Sequence, residues 1–181
     1  MTQYTNLFIP DGAGESVALP GIETTIKVTS ASTGGAFAIF EEVTSPGAGP
    51  ALHVHAHQFE IFRFLEGIYE VKVGDNLFTA EPGAVAVVAP GSTHAFRNIG
   101  QHKARLQFII VPGASSEEFF RQLSQLLSHG QPDMDVLNAL GTQYDTLFVG
   151  PPLGAVEHDI IEAVGHHRTP PRAVNTLRSH A

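Results

Sequence analysis

The sequence predicts an all-β fold, a sandwich or barrel, with helices appended after it. Three features carry that prediction. Turn signals built from Gly, Pro, Asn and Asp recur about every 8–12 residues and separate about eight to ten short runs rich in apolar residues. Several runs alternate apolar and polar residues, the period of a half-buried strand. After Pro112-Gly113 the period lengthens to that of amphipathic helices. The turns are tight, so neighbouring strands should be antiparallel.

Residues 1–20 read as an arm punctuated by Pro and Gly, in which Phe8 and Ile9 would cover an edge of the core. Ile22–Thr29 alternates weakly and Ala36–Val43 is rich in apolar and aromatic residues; both read as strands. Pro46–Pro50 is a loop. Phe59–Leu65 alternates, with Glu60, Phe62 and Phe64 on one face and Arg63 on the other. Glu66-Gly67 turns the chain into Ile68–Val73, and Gly74-Asp75-Asn76 closes a hairpin onto Leu77–Ala80. Ala84–Ala89 is a continuous apolar run, the pattern of a buried strand. Pro90-Gly91 turns again, and His94–Asn98 and Ala104–Val111 complete the β portion.

In the following segment Ser115 and Glu118 have the spacing of a capping box. Phe119, Phe120, Leu123, Leu126 and Leu127 then fall on one helical stripe that Gly130 terminates. Pro132–Leu140, followed by Gly141, predicts a second helix. Val156, Ile160 and Val164 suggest a third. The expected organisation is one domain over 1–153, with a barrel over about 22–112 and helices over about 115–141. A C-terminal helix and a basic tail then fill 154–181.

The chain has 181 residues and is 43% hydrophobic, enough for one packed core. A net charge of −8 argues against a nucleic-acid backbone as partner. There is no cysteine, so any metal site uses nitrogen and oxygen ligands alone. The N-terminus lacks the pattern of a secretory signal, and no apolar run approaches the ~18 residues of a membrane span. These features predict a cytoplasmic protein without a membrane partner.

The chemistry concentrates in two stretches. In Gly47–Gly67, His53 and His55 stand two apart, so an extended chain directs both to one face. Glu60 begins the next strand, where an unpaired buried carboxylate would be costly. Loop histidines are ordinarily solvated, but two imidazoles with a carboxylate make a plausible shell for a divalent metal. In Gly83–Asn98, His94 opens a strand on which His94, Phe96 and Asn98 share a face, and it is the candidate fourth ligand.

Together these stretches resemble the two signature motifs of the cupins. Gly47, His53, His55, Glu60 and Gly67 fit every position of the first, and Gly83, Gly91, His94 and Asn98 fit the second. The second motif departs at its proline: Ala89 stands in that place and Pro90 follows one residue late. The resemblance covers about residues 24–112. It implies a cupin jelly-roll β-barrel with two or three C-terminal helices. It also implies one divalent metal, Fe, Ni, Co, Mn or Zn, held by His53, His55, Glu60 and His94. His57 matches no motif position and is expected beside the ligands or facing solvent. The helix containing Phe119-Phe120 and the later LFVGPPL are similar to single-domain quercetin 2,3-dioxygenase-like cupins. That likeness implies a dioxygenase acting with dioxygen on a flavonol-like compound.

If the face carrying Phe62, Phe64 and Phe96 points inward, the pocket is apolar and suits a small aromatic or enolic substrate. The alternative is that these rings simply fill the barrel. In the dioxygenase reading, Glu60 is the catalytic base that accepts the substrate proton, a role that expects its pKa to be raised by an apolar site. A non-catalytic small-molecule binding or sensing module and a cupin isomerase or cyclase remain as other readings, because one fold serves many functions. The barrel's edge strands and the terminal arms predict a homodimer.

Overall fold

The computed structural model describes residues 6–155. Its eleven strands are β1 (Glu15–Leu19), β2 (Ile22–Val28), β3 (Ala38–Thr44), β4 (Ala51–His55), β5 (Phe59–Glu66), β6 (Tyr69–Val73), β7 (Asn76–Ala80), β8 (Val85–Val88), β9 (His94–Asn98), β10 (Ala104–Val111) and β11 (Thr146–Pro152). All pairings are antiparallel. They form two sheets, one ordered β1-β2-β3-β10-β5-β8 and the other β11-β4-β9-β6-β7. Consecutive strands β4 and β5 lie in different sheets, as do β5 and β6, so the chain passes back and forth across the core. This is the jelly-roll architecture, predominantly β.

Strand parity builds the interior. Phe40 and Glu42 of β3, Glu60, Phe62 and Phe64 of β5, and Leu106, Phe108 and Ile110 of β10 are all buried, while Arg63 on the opposite face of β5 is exposed. Phe40 stacks on Phe108 with ring centroids 4.8 Å apart. Helix α1 (Ser116–Leu127) lowers Phe119, Phe120 and Leu123 into this core. Each fully buried side chain of this kind stabilises the fold by ~1.5–3 kcal/mol. Helix α2 (Met134–Gly141) follows and packs beside β11.

The structure corrects the sequence reading at several points. Part of the expected N-terminal arm is strand β1, paired with β2 from Glu15↔Ile26 to Leu19↔Ile22. Phe8 covers no edge of the core and is 89% exposed. Strand β11 extends the five-stranded sheet well beyond the expected limit of the barrel near residue 112. The apolar run at β8 is not buried throughout: it is an edge strand, with Val85 and Val87 60% and 57% exposed. An edge strand buries one face only, and an unbroken apolar run does not reveal that.

The capping box at Ser115 does not form. Ser115 is left-handed (φ 58°) and makes no side-chain cap. Its N–H donates instead to Ser30 Oγ (3.0 Å), which itself donates to Glu117 Oε1 (3.0 Å). Glu118 is engaged by Gln122 and Arg121. Tertiary contact with the Ser30 turn overrides the local motif. The expected third helix at Val156, Ile160 and Val164 and the basic tail lie outside the described residues. Among the described residues no helix is long and apolar enough to cross a membrane.

Candidate metal centre

Four side chains converge between the two sheets. His53 and His55 lie on β4, and the register His53↔His94 sets His94 of β9 directly across from His53. Glu60 arrives from β5 in the opposite sheet. The displaced proline of the second motif does not disturb this delivery. Ser92 N–H donates to Ala89 O (3.1 Å), enclosing Pro90 and a left-handed Gly91 (φ 79°). Those are the residues a type II turn selects at its two central positions. Gly91 N–H also donates to His55 O (2.7 Å), tying this turn to β4.

The donor atoms of His53, His55, Glu60 and His94 all lie within 4.8 Å of one another. Glu60 Oε2 is 2.7 Å from His94 Nε2, 3.3 Å from His55 Nε2 and 3.9 Å from His53 Nε2. Each ring is oriented from behind through Nδ1. His53 Nδ1 donates to Ala51 O (2.8 Å), His55 Nδ1 to Asp145 O (3.0 Å) and His94 Nδ1 to Ser92 O (3.0 Å). A carbonyl can only accept, so the proton of each neutral imidazole is at Nδ1 and the Nε2 lone pair faces the centre. Three lone pairs and a carboxylate aimed at one point repel unless a cation or an added proton lies among them.

The electrostatics show the same demand. Burial first, then the neighbouring His94, pushes the His53 imidazole down to about 4, so this ring resists carrying the proton. Burial alone would raise the Glu60 carboxyl, but the imidazoles of His53, His55 and His94 gathered around it hold it well below the usual carboxylate range; Glu60 in turn raises His55 against the burial that would lower it. Neutral imidazoles, an ionised carboxylate and carbonyl-bonded outer nitrogens are what a divalent ion requires. The donor set therefore fits a metal ion; nitrogen and oxygen donors alone do not select among Fe, Ni, Co, Mn and Zn.

His57 is not among the converging groups. Its side chain is 84% exposed, and its Nδ1 lies 2.9 Å from Asp145 Oδ1. Asp145 is the residue that the sequence reading missed. Its carboxylate accepts the N–H groups of Ala56 (3.1 Å), His57 (2.8 Å) and Gln58 (3.1 Å), which form the turn joining His55 to Glu60. Its carbonyl accepts from His55 Nδ1, so one residue orients a ligand and fixes the turn to the next. Burial acts to raise the Asp145 carboxyl, but the bonds from His57 and Ala56 outweigh it and lower it.

Asp145→Ala is expected to weaken metal binding about 10- to 100-fold, the usual cost of losing a group that orients ligands. Asp145→Asn tolerates the left-handed backbone (φ 60°) and keeps one acceptor oxygen, so it should lose less. Competition with a chelator measures both; equal affinities in wild type and Asp145→Ala would show that the turn holds without this clamp. The stability that Asp145 gives the metal-free protein has a sign. Its folded carboxyl titrates below its unfolded value of ~3.9. The contribution is complete above that value and disappears as pH falls through the lowered one. The wild-type advantage over Asp145→Asn should therefore be constant from pH 7 to about 5 and shrink below about 4.

A cavity of about 60 Å³ opens beside the cluster. Phe62 and Phe96 line it. Phe64 does not: it lies deeper, 1% exposed, against Tyr69 at 5.2 Å between ring centroids. The remaining apolar wall comes from residues outside the two motifs, chiefly Phe108, Phe119, Phe120 and Phe148. Besides the converging residues, four buried polar side chains line it: Glu42, Gln58, Ser116 and Thr146. Gln58 donates from Nε2 to Pro112 O (3.1 Å), while its Oε1 has no partner among the described residues. The burial of Glu42 follows from strand parity with Phe40, a signal present in the sequence.

Residues 40–112 match the family model of the cupin domain. No curated protein matches the chain in sequence. Among solved structures, KdgF from a Halomonas species superposes with a TM-score of 0.53 at 17% identity, over 59% of this chain and 94% of that one. A protein described as a predicted oxalate decarboxylase from Thermotoga maritima gives 0.55 at 18%, over 59% and 99%. An RmlC-like cupin from Shewanella frigidimarina gives 0.54 at 15%, over 64% and 99%. At such identities the likeness is one of fold. The barrel is a cupin jelly roll, with a four-residue cluster able to take a metal ion.

Proposed function

We propose that the protein is a metal-dependent dioxygenase of the quercetin dioxygenase-like kind, acting on a small enolic or phenolic compound. The observation that carries this reading is the contact between a three-histidine, one-carboxylate cluster and a cavity walled by aromatic rings. A divalent ion held by His53, His55, Glu60 and His94 would supply a Lewis-acidic position that favours the deprotonated form of an enol or phenol beside dioxygen. Glu60 is held low rather than raised and is a weak base, so it would accept the hydroxyl proton only with that hydroxyl acidified by the ion. Phe62 and Phe96 hold the substrate ring by apolar contact and keep water from the reacting atoms.

The cavity volume narrows the substrate. Sites for drug-sized ligands occupy about 300–1,000 Å³, whereas this one is about 60 Å³. A cavity of this size favours a single-ring compound over a flavonol. Oxygen uptake by iron-, nickel-, cobalt- or manganese-loaded protein, screened over single-ring enols and phenols and a flavonol, tests the reading. Uptake dependent on one of the small compounds is expected. No uptake with any of them would leave a binding module.

The proposal includes a homodimer. On the outer face of the six-stranded sheet, Ile39, Ile109, Ile61 and Val87 stand side by side in register on β3, β10, β5 and β8. Exposed Val85 and Phe59 border this stripe. A second copy of the chain is the occupant proposed for it. Sedimentation at micromolar concentration should give about twice the ~19 kDa monomer mass. Ile61→Lys, which sets a charge within the stripe between Ile109 and Val87, should return the particle to one chain. A wild-type monomer at that concentration would reject the dimer.

A further inference from the structure

We infer that Glu42 is a specificity residue of the cavity: as a neutral carboxylic acid it donates one hydrogen bond to an acceptor oxygen on the end of the substrate remote from the metal cluster. The inference rests on the proposed reading in one respect, that a small phenol or enol occupies this cavity. Its basis is otherwise geometric.

Glu42 lies on β3, in the middle of the six-stranded sheet, with its side chain inward and only 4% of the residue exposed. It lines the same cavity as His53 and Glu60. The register separates the two carboxyls along the sheet: Glu42 pairs across to Leu106, which neighbours Phe64, whereas Glu60 pairs with Ile110. Phe62, Phe96 and Phe108 form cavity wall as well. The cavity thus carries the polar groups of the metal cluster and, further along this sheet, the Glu42 carboxyl, with Gln58, Ser116 and Thr146 as its other buried polar lining.

Among the described residues, Glu42 has a single hydrogen-bond partner. Thr24 Oγ1 donates to Oε1 at 2.9 Å, which leaves Oε2 for the cavity. No cationic side chain pairs with it among the described residues. An ionised carboxylate so placed would be desolvated without a counter-charge, an expensive state that a buried group avoids by holding its proton. Burial, with a contribution from the Glu60 charge, indeed pushes the Glu42 carboxyl up to about 8 against the bond from Thr24. A protonated carboxyl has one O–H donor. With Oε1 accepting from Thr24, that donor is Oε2–H, and among the described residues no acceptor is bonded to it.

The chemistry selects a ligand class. A molecule with an ionisable hydroxyl at one end and a carbonyl or ether oxygen at the other satisfies both polar groups and presents its ring to the phenylalanines. One that is wholly apolar at the far end leaves the Glu42 O–H buried and unpaired, and that mismatch is where a site discriminates most strongly.

Two measurements test this. Infrared difference spectra of metal-loaded wild type against Glu42→Gln at pH 7 should show a neutral carboxylic-acid band present only in the wild type. Calorimetry then compares 4-hydroxyacetophenone with 4-ethylphenol on zinc-loaded protein in the absence of dioxygen, so that no oxygenation can occur. The two probes are near-isosteres that differ in the far carbonyl oxygen. The acetophenone is also the more acidic phenol, which favours it at the metal in every variant alike, so the hydrogen bond is read as the change in preference between variants. The wild-type preference for the acetophenone should exceed that of Glu42→Leu about 3- to 10-fold, the usual worth of one hydrogen bond; Glu42→Gln, whose amide can still donate, should retain most of that increment. A missing band, or the full wild-type preference surviving in Glu42→Leu, overturns the inference. If neither phenol binds the wild type while the band is present, the proposed substrate class fails and the neutral donor stands.

Discussion

Glu60→Gln should keep most of its metal under saturating supply and lose roughly 10²–10⁴-fold in turnover, the usual cost of a positioned general base. Glutamine preserves the shape of the side chain and one oxygen donor. Glu60 is 95% buried and reaches His55 and His94 at 3.3 and 2.7 Å, so an amide of the same size has no freedom to move elsewhere. Three histidines still hold the ion, more weakly, and excess metal compensates. The amide cannot take a proton from the substrate hydroxyl. Metal content and oxygen consumption measured on one sample separate the two roles. A metal-loaded Glu60→Gln with near wild-type turnover would make Glu60 a ligand only.

His94→Ala should strip most of the metal, with His57→Ala nearly silent. His94 stands opposite His53 in the β4–β9 register, is 1% exposed, and makes the shortest contact to Glu60. Removing it deletes one of four donors and opens a void beside Phe62, whose ring lies 6.2 Å from the imidazole. Occupancy is therefore measured on the folded fraction after gel filtration. His57 makes an exposed contact to Asp145 and none to the other three histidines or Glu60, so its loss should alter occupancy little. Equal metal in wild type and His94→Ala would defeat the assignment of His94.

The metal cluster was legible because its signals are local. His-x-His on an extended chain and the alternation from Glu60 through Phe64 need only the period of a strand. The Pro90-Gly91 turn predicts where His94 begins. What escaped depends on partners remote in sequence. Asp145 acts through backbone N–H groups almost ninety residues earlier, and no residue pattern around it announces that contact. Strand β11 contains Gly150, Pro151 and Pro152, which read as loop; it is an edge strand, where proline costs no ladder bond on its open side. The Ser115 capping box was a sound local motif that the Ser30–Glu117 contact displaced. Phe64 shared the correct face but sits too deep for the cavity, and parity cannot tell depth along a barrel. Glu42 was within reach, since Phe40 is an obvious core residue and the next inward position on that strand is Glu42.

The most direct test of the metal centre is elemental analysis joined to X-ray absorption at the edge of the bound metal, on wild-type protein supplied with Fe, Ni, Co, Mn or Zn. One ion per chain is predicted, with a first shell of three imidazole nitrogens and a carboxylate oxygen that loses a nitrogen in His94→Ala. Wild-type protein that takes up no stoichiometric ion, or whose shell is unchanged in His94→Ala, would contradict it.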